Sequence, residues 1–227
     1  MERKEKKKRT KEKVEETKEK ISRTNPIYTI LIVFAILIIV FFSFYYLFSS
    51  LGKFKYEGLT FTKEKFGEIP VFHYYYYITP EIKYNLYLRN DPRQNLVPFT
   101  GRAIEIFKLD TVYLSINPEE LTQCEYGRVG IGTLASFLAD NQFLVKGASQ
   151  NETLAKEANV DYVTCESNPS DVVIQIQSAD KTEVIHSSLN CHTINIANCE
   201  VLPAIEKFQT KMILDARARK LEADKTS

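Results

Sequence analysis

Residues 27–48 (IYTILIVFAILIIVFFSFYYLF) form an apolar run of 22 residues, relieved only by Thr29 and Ser43. The uncharged window around it is wider, reaching from Thr24 to Gly52. At about 1.5 Å per residue, a helix over this run spans roughly 33 Å, enough for a hydrocarbon core of about 30 Å. A helix apolar on every side has no face to offer water, which makes a membrane span the reading. A cleaved secretory signal fits less well. Such signals have a short basic start, an apolar stretch of about 7–15 residues and a small-residue cleavage site. Here the basic start is 26 residues long, and FSSLGKF (48–54) is a poor cleavage site.

The flanks give the span a direction. Residues 1–26 carry eleven Lys/Arg against six Asp/Glu, a local charge of +5; residues 49–227 carry nineteen against twenty-three, a local charge of −4. The excess of cations before the span predicts a cytoplasmic N-terminus, with about 175 residues on the far side. Phe44, Tyr45, Tyr46 and Phe48 cluster at the far end, where amphipathic rings favour the membrane–water interface. The expected organisation is a charged cytoplasmic tail (1–26), a transmembrane helix (27–48) and one extracytoplasmic domain (49–227). The expected location is the cell membrane, crossed once. The tail has only Val14 and Ile21 as large aliphatic residues after Met1, so it has nothing to bury and reads as a solvated segment that fixes orientation. Its alternative role is attraction to anionic headgroups, worth about 1 kcal/mol per basic residue at the surface.

The whole chain has a net charge of +1, which gives no case for nucleic-acid binding. Hydrophobic residues at 44% and aromatics at 12% exclude global disorder. Within the far-side domain, residues 54–61, 70–78 (PVFHYYYYI), 84–88, 103–107 and 111–116 read as strands, being rich in aromatic and β-branched residues. After residue 130 the period changes. Ile131, Leu134 and Leu138 mark a helix over 130–138, and Ser149-Gln150-Asn151-Glu152 matches a capping box for a helix to about Ala158. Strands are expected at 143–146, 162–165, 172–176, 184–186 and 192–196. Val201, Ile205, Phe208 and Met212 then place a core-facing stripe on a closing amphipathic helix over about 200–221. The fold class expected is α+β, with a possible α/β core on a single mixed sheet.

All four cysteines (Cys124, Cys165, Cys191, Cys199) lie after the span, and an even number there predicts two disulfides. An extended 192–196 covers about 15 Å, whereas a disulfide needs Cα atoms within about 7 Å, which argues against joining Cys191 to Cys199. Two pairings stay open: Cys124–Cys199 with Cys165–Cys191, which is preferred, or Cys124–Cys191 with Cys165–Cys199. A metal site from Cys165, His186, Cys191, His192 and Cys199 is the rival, but no C-x₂₋₄-C pair supports it. No metal or cofactor is expected.

Other candidate chemistry has a plainer reading beside it. Gly127-Arg128-Val129-Gly130-Ile131-Gly132-Thr133 opens a helix, but lacks the Lys-Ser/Thr of a P-loop and meets no G-x-G-x-x-G spacing; the glycines read as easing helix entry and close packing. Arg89 and Arg93 flank the turn in LRNDPR and are candidates for an anion contact, with an Asp91–Arg93 pair as the alternative. His73 lies on the aromatic strand. Asn151-Glu152-Thr153 is the single N-x-[ST] sequon without proline, making Asn151 a candidate glycosylation site. Neither G-x-S-x-G nor H-E-x-x-H occurs.

YNLYLRNDPR, the VKGAS–NETLAKEAN–YVTC stretch and CHTINIANCEVLPAIEKF resemble uncharacterised single-span membrane-anchored proteins of archaeal type. The resemblance implies one coherent outer domain and carries no activity. The role expected is a non-catalytic binding or assembly module of the cell envelope, partnered by the bilayer and by other envelope proteins. The alternatives are an anchored extracytoplasmic hydrolase, with a site near His73, Arg89 or His192, and a ligand-sensing membrane protein. A deep pocket with a perturbed His or carboxylate favours the enzyme; a broad exposed apolar patch favours the binding module.

Overall fold

The computed structural model describes residues 26–107, 110–121 and 123–226, so the charged tail 1–25 lies outside the described residues. The chain divides into two compact units, Met1–Gly52 and Lys53–Ser227. In the first, helix α1 (Pro26–Leu51) contains the whole apolar run. Over Pro26–Tyr46 it is long and apolar enough to cross a membrane, and no part of that stretch is buried by protein.

The second unit holds two sheets where a single mixed sheet was expected. The first is an antiparallel meander of β1 (Lys53–Tyr56), β2 (Leu59–Phe66), β3 (Ile69–Tyr77) and β4 (Lys83–Leu88), ordered as in the chain. Residues 54–61, expected as one strand, are split by a two-residue turn. Glu57 and Gly58 both take positive φ (47° and 82°), the geometry that matches the twist of a tight hairpin. Period-2 alternation then sorts the faces. Phe54, Phe61, Phe72, Tyr74, Tyr76, Tyr84, Leu86 and Leu88 belong to the core side. Phe54 stacks on Phe61 at 5.6 Å, and Tyr84 meets Phe137 edge-on at 5.8 Å.

The second sheet has the strands β5 (Phe99–Gly101), β6 (Thr111–Ile116), β7 (Leu144–Ser149), β8 (Asp161–Tyr162), β9 (Val172–Ser178), β10 (Glu183–Ser188) and β11 (Cys191–Ile196). Its order is β5-β10-β11-β9-β6-β7-β8. The strands β11, β9, β6, β7 and β8 run parallel; β10 is antiparallel to β11, and β5 parallels β10. From β6 the chain passes through α3 (Gly127–Asp140) to β7 and through α4 (Glu152–Ala158) to β8, then returns to β9 on the other side of β6. A short helix α2 (Pro118–Leu121) follows β6. The central strand β9 opens Val172, Val173, Ile174, the continuous apolar run of a strand covered on both faces.

Helix α5 (Val201–Thr226) closes the fold. Its predicted stripe is in the core: Val201, Ile205 and Phe208 are fully buried, and Met212 nearly so. The helix is not amphipathic in the expected sense, however, because Glu206, Gln209, Thr210 and Asp215 are buried as well. Glu206 and Asp215 face irregular segments that pack over the helix, while Gln209 donates to the Thr133 carbonyl of α3. Asp215 accepts from the Ile104 N–H at 2.8 Å, Arg219 donates to the Ile104 carbonyl at 2.6 Å, and Arg217 donates to the Gly58 carbonyl at 2.7 Å. This explains why 103–107 is not a strand. The polar side chains of α5 supply partners for the Ile104 backbone that a ladder would otherwise provide.

Both α3 and α4 depart from expectation at their starts. Helix α3 begins at Gly127, three residues early. A Cβ on Gly130 would stand 3.0 Å from Val201 and Ile205, and one on Gly127 would stand 2.1 Å from the Leu121 carbonyl oxygen. Gly130 therefore serves close packing of α3 on α5 and Gly127 the tight approach of α3 to the end of α2, while Gly132 has open space beside it. Helix α4 is capped by Asn151, whose side-chain oxygen accepts from the Thr153 and Leu154 N–H groups; Ser149 is still the last residue of β7 and cannot serve as cap.

Candidate functional site

The sequence HYYYY in β3 alternates across the meander, so Tyr74 and Tyr76 go inward while His73, Tyr75 and Tyr77 go outward. Opposite them on β4 stand Tyr87, Asn85 and Lys83 in turn. Tyr75, Tyr77 and Tyr87 remain 52%, 61% and 49% exposed, too open for core residues. The rings are ordered by one another. His73 stacks on Tyr87 at 4.6 Å and lies 6.2 Å from Tyr75, which meets Tyr77 edge-on at 6.4 Å; the Lys83 ammonium sits 3.9 Å over the Tyr75 ring. His73 bridges three strands, with Nδ1 at 2.8 Å from Glu64 Oε1 and Nε2 at 3.0 Å from Asn85 Oδ1. Phe66 and Ile69, paired across the β2–β3 turn, are exposed at one end. The result is a solvent-exposed strip of mutually packed aromatic rings with polar tips.

A second feature is the irregular segment 89–98 that follows β4. With Thr182, Glu200 and Pro203 it lines a half-open pocket of about 410 Å³, on which Asn90, Asp91, Gln94 and Asn95 present polar groups. Leu96 stands 89% exposed in this segment. The two candidate anion-binding arginines are placed differently. Arg93 forks onto Asp91 with contacts of 2.6 and 3.0 Å, and its guanidinium lies 3.8 Å over the Phe54 ring. Arg89 contributes its backbone N–H, 2.5 Å from Glu206 Oε1, and its side chain lies 5.9 Å from the Tyr126 ring. The Asn90 N–H and side-chain amide donate to Glu206 Oε2 at 3.1 and 2.8 Å. Burial pushes the Glu206 carboxyl up to about 7, outweighing those hydrogen bonds and the Arg89 charge, which act downward.

The cysteines and the paired histidines are consumed by the fold. Cys124 is bonded to Cys199 and Cys165 to Cys191, with Cα separations of 5.2 and 5.5 Å. The first bond pins the β11–α5 corner, where Asn198 and Cys199 both take positive φ (50° and 59°), a conformation that needs support in non-glycine residues. His186 and His192 are left side by side at 4.6 Å, with His192 also against Phe208. Burial first, and His186 second, lower the pKa of His192 to about 3, so it stays neutral. Among the described residues no group of three or more His, Cys, Asp or Glu is arranged to hold a metal ion. Asn151 is exposed at the start of α4, where its side-chain oxygen serves as the cap.

His73, Arg89 and His192, the three centres around which a hydrolase was considered, lie on different elements: the outer face of the meander, the segment after β4, and the buried β11. Two features escaped the sequence reading. The exposed face was legible in principle from the alternation of HYYYY, once a meander had been recognised. The role of Glu206 was not, because nothing in IEKFQ marks a buried carboxylate. No protein-family model matches the chain, and comparisons with curated proteins and with solved structures find no match.

Proposed function

We propose that this protein is a membrane-anchored binding or assembly module of the cell envelope, held by α1 with its N-terminus cytoplasmic and its folded domain outside. The observation that carries this reading is the ordered aromatic strip of Tyr75, Tyr77, Tyr87 and His73, left open to solvent on a rigid sheet. The apolar helix and the two disulfides are consistent with the proposed placement.

The test is site-specific photo-crosslinking in intact cells, with benzoylphenylalanine in place of Tyr75, Tyr77 or Tyr87. Discrete adducts to a defined partner are expected from these positions, and not from Glu157 on the exposed side of α4. Loss of the adduct from position 77 when Tyr75 and Tyr87 are changed to Ser would tie it to the strip. Absence of adducts at all three positions, in a folded protein, overturns the reading. Four free thiols in protein taken from the native envelope would overturn the proposed placement.

A further inference from the structure

Asn151-Glu152-Thr153 meets the acceptor pattern N-x-[ST], and Asn168-Pro169-Ser170 fails it through its proline. The fold treats the two asparagines differently. Asn168 is half-buried, and its side-chain nitrogen donates to Asp171 Oδ2 at 3.1 Å. Asn151 is exposed, in extended backbone (φ −109°, ψ 118°) between β7 and α4. Three of its four polar atoms are engaged. Its N–H donates to Ser149 Oγ at 3.1 Å, and its carbonyl accepts from the Ala155 N–H at 2.8 Å. Its side-chain oxygen accepts from the Thr153 and Leu154 N–H groups at 2.9 and 3.3 Å. A side-chain amide has one oxygen to accept and one nitrogen to donate, so a cap that claims Oδ1 leaves Nδ2 over. No hydrogen bond among the described residues engages that nitrogen. Glu152, Thr153, Lys156 and Glu157 are exposed beside it, and Ala155 alone of α4 is buried. A bulky polar group on Asn151 Nδ2 therefore displaces no core contact and leaves the cap in place.

We propose that Asn151 is an N-glycosylation site, accepting on Nδ2 a saccharide from a polyprenyl-phosphate-linked donor. The proposal rests on the outward placement of the folded domain argued above, because that is the side on which such acceptors are used. In the transfer the amide nitrogen forms a bond to the anomeric carbon of the sugar. The bond from that carbon to the carrier's phosphate oxygen breaks, and its electron pair leaves with the phosphate. The nitrogen gives up one proton to a base, so the step needs no oxidant or reductant. The product keeps the carbonyl oxygen of Asn151, which goes on accepting from Thr153 and Leu154. The Thr153 hydroxyl completes the acceptor pattern, whereas the cap uses only that residue's backbone N–H. The two requirements on Thr153 are thus separable by substitution. The glycan adds a bulky, solubilising group to the exposed surface of α4.

The test is peptide mass spectrometry on the full chain purified from its native envelope. Cleavage after Lys146 and Lys156 isolates GASQNETLAK (147–156), in which Asn151 is the single asparagine. This peptide should carry a mass increment of whole sugar units, release sugar fragment ions and place the increment on Asn151. Asn151→Asp keeps a capping oxygen, and Thr153→Ala keeps the backbone donor of the cap, so both variants should fold. Both should lose the increment completely, while Thr153→Ser should retain it. An unmodified wild-type peptide overturns the proposal, as does an increment that persists in Asn151→Asp or Thr153→Ala. Thiol alkylation without reduction, run on the same sample, separates the two ways of failing. With both disulfides intact, an unmodified peptide removes the glycan alone; with four free thiols, the placement of the domain falls with it.

Discussion

Helices α1 and α5 are both 26 residues long, yet their relation to water is reversed. α1 is apolar around its whole circumference, and no part of its candidate span is covered by protein. α5 carries Glu206, Gln209, Thr210 and Asp215 within its stretch 201–215, which is buried on nearly every side, while 216–225 is mostly exposed. The difference teaches that burial follows from partners rather than from hydrophobicity. A side chain such as Glu206 tolerates exclusion from water because backbone and amide donors replace the water it loses. Over Pro26–Tyr46 the apolar side chains of α1 have no such cover, and by length and composition that stretch can cross a membrane.

Perturbing each helix in turn sharpens that contrast. The largest effect is expected where α5 is pinned. Replacing Cys124 and Cys199 by Ser opens a loop of 75 residues and should cost about 4.5 kcal/mol in denaturant unfolding. Opening Cys165–Cys191, with a separation of 26, should cost about 1 kcal/mol less. Next, Phe208→Ala removes a fully buried ring packed on His192 and should destabilise the domain by about 4 kcal/mol. Phe34→Ala in α1 should leave the same unfolding transition within about 0.5 kcal/mol; an equal loss from both would break the comparison. A charge reverses the sensitivity: Ile36→Arg should cost about 3 kcal/mol of membrane insertion, read as the fraction of chains integrated.

The pH dependence of unfolding gives a smaller effect. Glu206 has a folded-state value of about 7 above an ordinary 4.5, so its contribution is fully present below 4.5 and is lost as the pH rises through 7. Stability should fall across that window by at most about 1.4 kcal/mol per pH unit, and Glu206→Gln should remove the slope. A slope of the opposite sign would show the hydrogen bonds outweighing burial. The smallest effect belongs to the aromatic strip. Tyr77→Ser should change stability by less than about 0.5 kcal/mol while abolishing crosslinking at that face, since the ring rests mainly on Tyr75 and is open to solvent.

How far each feature was legible depends on the range of the interaction behind it. The strand 111–116 was readable to the residue because its pattern and its turn signals are local. The hairpin at Glu57-Gly58 was legible but missed: FKYEGLTF carries a glycine between two short alternating segments, a local turn signal. The placement of residues 103–107 was out of reach, since it depends on Asp215 and Arg219, more than a hundred residues away. Glu206 and its donors are separated by 116 and 117 residues, and no periodicity on α5 distinguishes a carboxylate facing solvent from one beneath a loop.

The sequence by itself determined the apolar helix, its charged flanks, the α+β character and the apolar stripe of α5, because each rests on composition or on a period of a few residues. Only the tertiary structure decided that there are two sheets, that the cysteines join as 124–199 and 165–191, that the polar side of α5 is buried, and that three tyrosines remain open on the meander. The physical reason is the same in each case. Which surface is covered, and by what, is a property of segments distant in the chain that meet only on folding, and a local pattern holds no record of its eventual neighbour.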